Sequence, residues 1–192
     1  MRALHSPVDA AQWLQSRVSG ALHADSRRIT PGDGFIAWPG AAADGRRHVP
    51  GALAQGAQAC LVERKGVEDF AFEGDGVASY AGLKAATGPI AAAYYGDPGA
   101  NLAVVAVTGT NGKTSTAWWL AQALTNLPGD AAMRCGVIGT LGIGVPPSVE
   151  LNGLTTPDPV LLQRHLRQFV DQGFKACATD ASSVGIAERR LD

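Results

Sequence analysis

Residues 102–107, Leu-Ala-Val-Val-Ala-Val, run straight into Thr108–Gly109–Thr110–Asn111–Gly112–Lys113–Thr114–Ser115. The apolar run has the texture of a strand buried on both faces in a parallel sheet. Beyond the glycines the pattern predicts a helix from about Lys113 to Thr125. Strand, Gly-rich turn and helix in that order make a phosphate loop. Gly109 and Gly112 allow positive φ and a close approach of backbone to phosphate. Successive N–H groups along Gly109, Thr110, Asn111, Gly112, Lys113, Thr114 and Ser115 then form an anion nest at the positive end of the helix. Lys113 supplies a point charge for the β- and γ-phosphates and is the candidate catalytic residue. The Thr114 hydroxyl can ligate Mg²⁺. The spacing is the short form GxxGKT; the longer GxxxxGK[ST] would need glycine at position 107, where the chain has Val107.

Outward from the loop, Cys135–Ile138 and Phe174–Thr179 read as further strands, and Val160–Gln172 as an amphipathic helix stopped by Gly173. Leu161, Leu162, Leu166, Phe169 and Val170 would form its apolar side. Gly136, Gly139, Gly142 and Gly144 read as punctuation between elements. Alternation of strand and helix implies a parallel sheet of about three strands with crossover helices. Asp180 then ends a strand at the carboxyl edge, where such sheets bind ligands. Trp118 and Trp119 on the loop's helix read as packing residues. Toward the N-terminus, Gly96–Asp97–Pro98–Gly99 breaks any helix. It divides the chain into domains 1–97 and 98–192. The first reads as a small mixed α/β domain: strands at His23–Arg28, Gly34–Trp38 and Ala59–Val62, and two helices, His48–Ala57 and Leu83–Tyr95. The thin second sheet suggests a central domain that is incomplete.

The 192 residues are 46% hydrophobic and 17% charged, which excludes intrinsic disorder. A net charge of −1 provides no basic field for nucleic acid or an anionic membrane. Cys60, Cys135 and Cys177 are widely spaced and form no CxxC, so they read as buried small hydrophobes in a reducing compartment. No apolar run reaches membrane-spanning length and Met1–Ala11 has no secretory apolar segment, so the expected location is cytoplasmic. The four histidines have no metal-ligand spacing.

TGTNGKT resembles the nucleotide loop of the Mur ligases and of the related folylpolyglutamate synthetases. Asp25–Ser26–Arg27, Pro31 to Ala37, Gly40 and Asp44–Gly45–Arg46 resemble the N-terminal domain of the MurE type. Gly136–Val137–Ile138–Gly139–Thr140–Leu141–Gly142, Leu154–Thr155–Thr156–Pro157 and Asp180–Ala181–Ser182–Ser183 resemble segments of its central domain. The resemblance implies a UDP-binding domain followed by part of an ATPase domain. The implied activity is ATP- and Mg²⁺-dependent addition of meso-diaminopimelate or L-lysine to UDP-N-acetylmuramoyl-L-alanyl-D-glutamate, through an acyl phosphate. It gives Ala24, Ser26, Ala41, Ala42, Ala43, Thr155, Thr156, Ser182, Glu188 and Arg190 to the substrate, and Thr114 and Asp180 to Mg²⁺. Three departures stand out: Asp180 where Glu is common, Leu154 where many relatives have Asn, and Glu188 where relatives often carry Gln. The implied partners are the nucleotide substrate and an amino acid, with a monomer expected. A C-terminal domain of the family, its carbamylated lysine and its adenine-contacting region have no counterpart here, so the chain alone is not expected to ligate. The alternatives are a MurF-type ligase and a non-catalytic UDP-sugar-binding or nucleotide-binding fragment.

Overall fold

A computed structural model describes residues 1–40, 43–151 and 156–191. The chain forms two compact units, Met1–Tyr94 and Tyr95–Asp192.

The first unit contains β1 (Arg2–Leu4), α1 (Pro7–Gln15), β2 (Leu22–His23), β3 (Gly34–Ala37), α2 (Val49–Ala54), β4 (Ala59–Glu63), β5 (Val77–Tyr80) and α3 (Leu83–Tyr94). Its sheet has the order β1-β5-β4-β3-β2, and every pair is parallel. β3 and β5 are buried along their whole length, as the apolar composition of Phe35, Ile36 and Val77 requires. Helix α1 is an addition to the two helices expected. Its signal is a Ser6 cap, whose hydroxyl accepts the Asp9 N–H, followed by Pro7 in the first helical turn. The weak strand expected at His23–Arg28 lasts only to His23. From there Asp25 accepts the Arg27 N–H and turns the chain into a short 3₁₀ segment, Ser26–Arg28.

The second unit contains β6 (Ala103–Val107), α4 (Lys113–Thr125), β7 (Cys135–Gly139), β8 (Gly142–Val145), β9 (Ser148–Glu150), α5 (Pro159–Asp171), β10 (Ala176–Asp180) and α6 (Ser183–Ala187). Its sheet has the order β6-β10-β7-β8-β9, five strands rather than about three. β6, β10 and β7 are parallel; β8 and β9 continue antiparallel. The four glycines read as punctuation therefore all lie inside strands, Gly136 and Gly139 in β7 and Gly142 and Gly144 in β8. Helix α4 covers one face through Ala117 and Ala121 over Cys135, Val137, Ala176 and Ala178. Helix α5 covers the other through Leu162, Leu166 and Phe169. Burying each of those three side chains contributes roughly 2 kcal/mol.

Two expectations are overturned here. β6 is an edge strand, not a fully buried one. Among the described residues its one neighbour is β10, and Val104 and Val105 remain 43% and 40% exposed. Trp119 is not a packing residue, since it lies 68% exposed on α4, whereas Trp118 packs against the core beneath that helix. All three cysteines are buried and free, and burial raises the thiol of Cys60 to about 12 and that of Cys135 to about 11. No helix among the described residues is long and apolar enough to cross a membrane.

Candidate active site

Parallel pairing in the order β6-β10-β7 brings the carboxyl ends of three strands together. The loop leaving β6 is built as its glycines demand, with Gly109 at φ 144° and Gly112 at φ 78°. Gly112 stands at the N-terminus of α4, so α4 points its positive end into the loop. The Lys113 ammonium lies back over the loop, donating to the Gly109 carbonyl at 2.8 Å and reaching that of Thr110 at 3.5 Å. An anion in the nest therefore meets a cation already held at its mouth.

Asp180 closes the other side and is wholly buried. Its Oδ2 accepts from the Thr114 hydroxyl at 2.8 Å and from both the Thr140 amide and the Thr140 hydroxyl at 3.0 Å. Its Oδ1 is buried with no hydrogen-bond partner among the described residues. A buried carboxylate oxygen without a donor is costly unless a cation or a proton joins it. The shorter side chain comes this close because the neighbouring strand carries Gly139; a Cβ there would lie 2.7 Å from Oδ2. The group fits Mg²⁺ chemically: one carboxylate and adjacent hydroxyls beside a phosphate loop are the hard oxygen donors that this ion takes. Thr140 belongs to this group, although sequence reasoning gave it no role. The available signal was its place just after β7, the parallel neighbour of β10.

Behind Asp180 the predicted Thr156, Ser182 and Arg190 do come together. The Thr156 hydroxyl donates to the Asp180 carbonyl at 2.9 Å and sits 3.0 Å from the Ser182 hydroxyl. Thr156 is only 1% exposed, so its hydroxyl is committed to positioning neighbours. Ser182 caps α6 through the Gly185 amide, and Arg190 donates to the Thr156 carbonyl at 3.0 Å. Asp158, not Thr156, caps α5, accepting from Val160 and Leu161. Glu188 ends α6 and is exposed. Thr155 lies outside the described residues, as do Ala41 and Ala42.

In the first unit, Ala24 and Ser26 leave the carboxyl end of β2, and Ala43 stands in the loop after β3. Ala24 and Ser26 are half-buried, and Ala43 is exposed. Asp25 and Arg27 form a local pair at 2.7 Å, whose hydrogen bonds hold the Asp25 carboxyl down at about 2. Ser26 is thus carried on a pinned turn, with its hydroxyl unused by any described residue.

This arrangement, a short phosphate loop opposite a strand-end carboxylate and preceded by an all-parallel α/β unit, defines a class. Residues 107–192 match the Mur ligase middle domain, and residues 20–107 match the Mur ligase family catalytic domain. The chain belongs to the Mur ligase family. Within it, the chain is 59% identical, over its whole length, to a UDP-N-acetylmuramoyl-L-alanyl-D-glutamate–2,6-diaminopimelate ligase of Acidovorax sp. (strain JS42), covering 40% of that protein. It is 44% identical over 98% of its length to a ligase of the same name from Janthinobacterium sp. (strain Marseille), covering 37% of it. The chain therefore spans about two fifths of the length of these relatives. A solved ligase of that name superposes with a TM-score of 0.67 at 26% identity, over 89% of this chain and 33% of the other. A MurF ligase from Thermotoga maritima, in complex with ADP, shares the fold with a TM-score of 0.59 at 22% identity, over 88% and 33%.

Proposed function

We propose that this chain carries the UDP-substrate-binding unit and the first part of the ATP-binding unit of a ligase that joins diaminopimelate to UDP-N-acetylmuramoyl-L-alanyl-D-glutamate. The observation that carries the reading is the pairing of the Lys113 loop with a buried carboxylate whose one oxygen lacks a donor. Identity with ligases of that name supports diaminopimelate as the amino acid.

In this reading the D-glutamate side-chain carboxylate attacks the γ-phosphorus of ATP, the bond to the β–γ bridging oxygen breaks, and ADP leaves. The amine of diaminopimelate then adds to the acyl phosphate, loses a proton and expels inorganic phosphate. Nothing covalent is asked of the protein; its work is positioning and charge stabilisation. The loop amides cradle the phosphates, and Lys113 meets charge on the transferring group. Thr114 and Asp180 would hold Mg²⁺, which neutralises phosphate charge when bound. Thr156 fixes the Asp180 main chain, while Ser182 and Arg190 face the substrate's anionic groups. Ser26 reads the nucleotide end.

Isothermal titration of the chain with Mg·ATP tests the core of this. Lys113→Ala is expected to weaken ATP binding 10- to 100-fold, equivalent to about 1.4–2.8 kcal/mol. Parent-like affinity in a folded Lys113→Ala protein overturns the assignment of the loop.

A further inference from the structure

The turn between β7 and β8 is short. Gly139 pairs with Gly142, so Thr140 and Leu141 alone connect the two strands. The hairpin is held hard against its neighbour: a Cβ at Gly142 would lie 2.4 Å from the Glu150 carbonyl oxygen, and one at Gly144 would lie 2.6 Å from that of Ser148, both on β9. On its other side β7 pairs with β10 up to Ile138 opposite Thr179, one residue before Asp180. Packing on both flanks thus delivers the turn to the end of the strand that carries the carboxylate.

Three donors converge on Asp180 Oδ2, and Thr140 supplies two of them. Its amide and its hydroxyl both donate at 3.0 Å, and the Thr114 hydroxyl is the third at 2.8 Å. The two threonine hydroxyl oxygens stand 3.3 Å apart. A hydroxyl has one proton to give. The Thr114 proton follows its shorter contact, to Oδ2, and the Thr140 proton goes to the same atom. Amide and hydroxyl of one residue meeting at one oxygen fix the rotation of the carboxylate, and with it the place of Oδ1. That oxygen is buried and has no partner among the described residues. Gly139 leaves room for the arrangement, since a Cβ there would lie 2.7 Å from Oδ2 and 3.3 Å from Oδ1.

Thr140 is itself exposed, so its side chain fills no core position. Its hydroxyl does not serve its own turn either; it bonds to a strand 40 residues further along the chain. Groups that orient a metal-binding side chain without touching the metal set the affinity of such sites.

We propose that Thr140 is a positioning residue of the phosphate site, which holds Asp180 by Oδ2 so that Oδ1 is the oxygen presented to the cation. The proposal rests on the ligase reading above and adds to it a residue that acts only through Asp180.

The test is calorimetric titration of the 192-residue chain with ATP, with Mg²⁺ and with EDTA in its place. The ratio of the two affinities is the Mg²⁺ enhancement. Thr140→Val keeps the shape and the amide but removes the hydroxyl. It is expected to cut the enhancement about tenfold and to leave the affinity for metal-free ATP unchanged. Thr140→Ser, which keeps the hydroxyl, is expected to restore the enhancement. Thr140→Val added to Asp180→Asn is expected to change nothing further, because the two side chains act as one. An unchanged enhancement in folded Thr140→Val overturns the proposal and leaves the ligase reading standing. So does a loss in Thr140→Ser as large as that in Thr140→Val, or an equal loss with and without Mg²⁺, since the effect then belongs to the turn. A further loss in the double variant makes Thr140 a direct ligand and overturns the positioning role. No Mg²⁺ enhancement in the parent overturns it too, while the ligase reading is decided separately by ATP binding and Lys113.

Discussion

At the carboxyl edge of the first sheet, Asp25 and Asp44 each grip an arginine two residues away; at that of the second, Asp180 grips none among the described residues. The arginine hydrogen bonds hold Asp25 at about 2 and lower Asp44. Asp180 receives only hydroxyls and one amide, on one of its oxygens, and keeps the other bare inside the protein. A carboxylate paired with a permanent cation shapes a loop. One held by hydroxyls and an amide on a single oxygen leaves its other oxygen open to a further partner. The difference separates architecture from chemistry at two strand-end crests.

That contrast can be broken by mutation, and the largest effect is expected at Arg46. Arg46→Ala strips the half-buried Asp44 carboxylate of its guanidinium, leaving it only the residue-46 amide, and leaves the carbonyls of Glu63 and Lys65 without that donor, a loss of about 3 kcal/mol in urea unfolding. An unchanged unfolding curve would show the Arg46 contacts to be idle. A smaller effect comes from acid. Burial opposes the ionised form of Asp33, yet the amides of Ala21 and Thr30, the Thr30 hydroxyl and His23 outweigh it, so the carboxyl is lowered. Asp44 is lowered by Arg46. A carboxyl lowered in the folded state stabilises fully above its ordinary value of 3.8, and this stabilisation is lost as pH falls through the lower folded value. The first unit should therefore weaken as pH drops below about 4. The slope should be shallower in Asp33→Asn, and a slope unaltered by that substitution would remove Asp33 from the account. Smaller still is the stability change for Asp180→Asn, expected within about 1 kcal/mol of the parent, because the Asn carbonyl can still take the Thr140 amide. The same variant should lose the Mg²⁺ dependence of ATP binding. A destabilisation as large as that of Arg46→Ala would make Asp180 structural and erase the contrast.

The legible parts were those written in local chemistry. Gly109, Gly112 and Lys113 lie where the order of strand, glycine and helix put them, and the two positive φ angles are the ones required. Thr156, Ser182 and Arg190, each given to the substrate by the resemblance, lie side by side in the fold, Ser182 and Arg190 both in contact with Thr156. What escaped depends on which strands become neighbours. Thr140 reaches Asp180 only because β7 pairs with β10, across forty residues of chain. The Arg46 guanidinium reaches the carbonyls of Glu63 and Lys65 only because β3 and β4 are neighbours, a fact with no local signature. Thr156 looked like a ligand residue, yet its hydroxyl is turned inward, because a buried hydroxyl must find a partner wherever the packing provides one.

The smallest expected effect on stability concerns β6, where composition and environment disagree. Val104 pairs with Cys177 and Val105 with Ala178, both fully buried on β10, yet the valines themselves are 43% and 40% exposed, on opposite faces of the strand. An apolar run records that a strand is suited to burial on both faces; it does not record whether the chain supplies the cover. An exposed, apolar, parallel edge is a template for another strand. The 192-residue chain is therefore expected to self-associate in sedimentation at high concentration. Val104→Lys should suppress this while changing the unfolding free energy by less than about 0.5 kcal/mol, since the side chain already meets water. The first sheet supplies the control, because its edge strands β1 and β2 are only three and two residues long and offer no comparable apolar run. Association that persists in Val104→Lys would place the contact elsewhere, with the exposed Trp119 on α4 the next surface to replace.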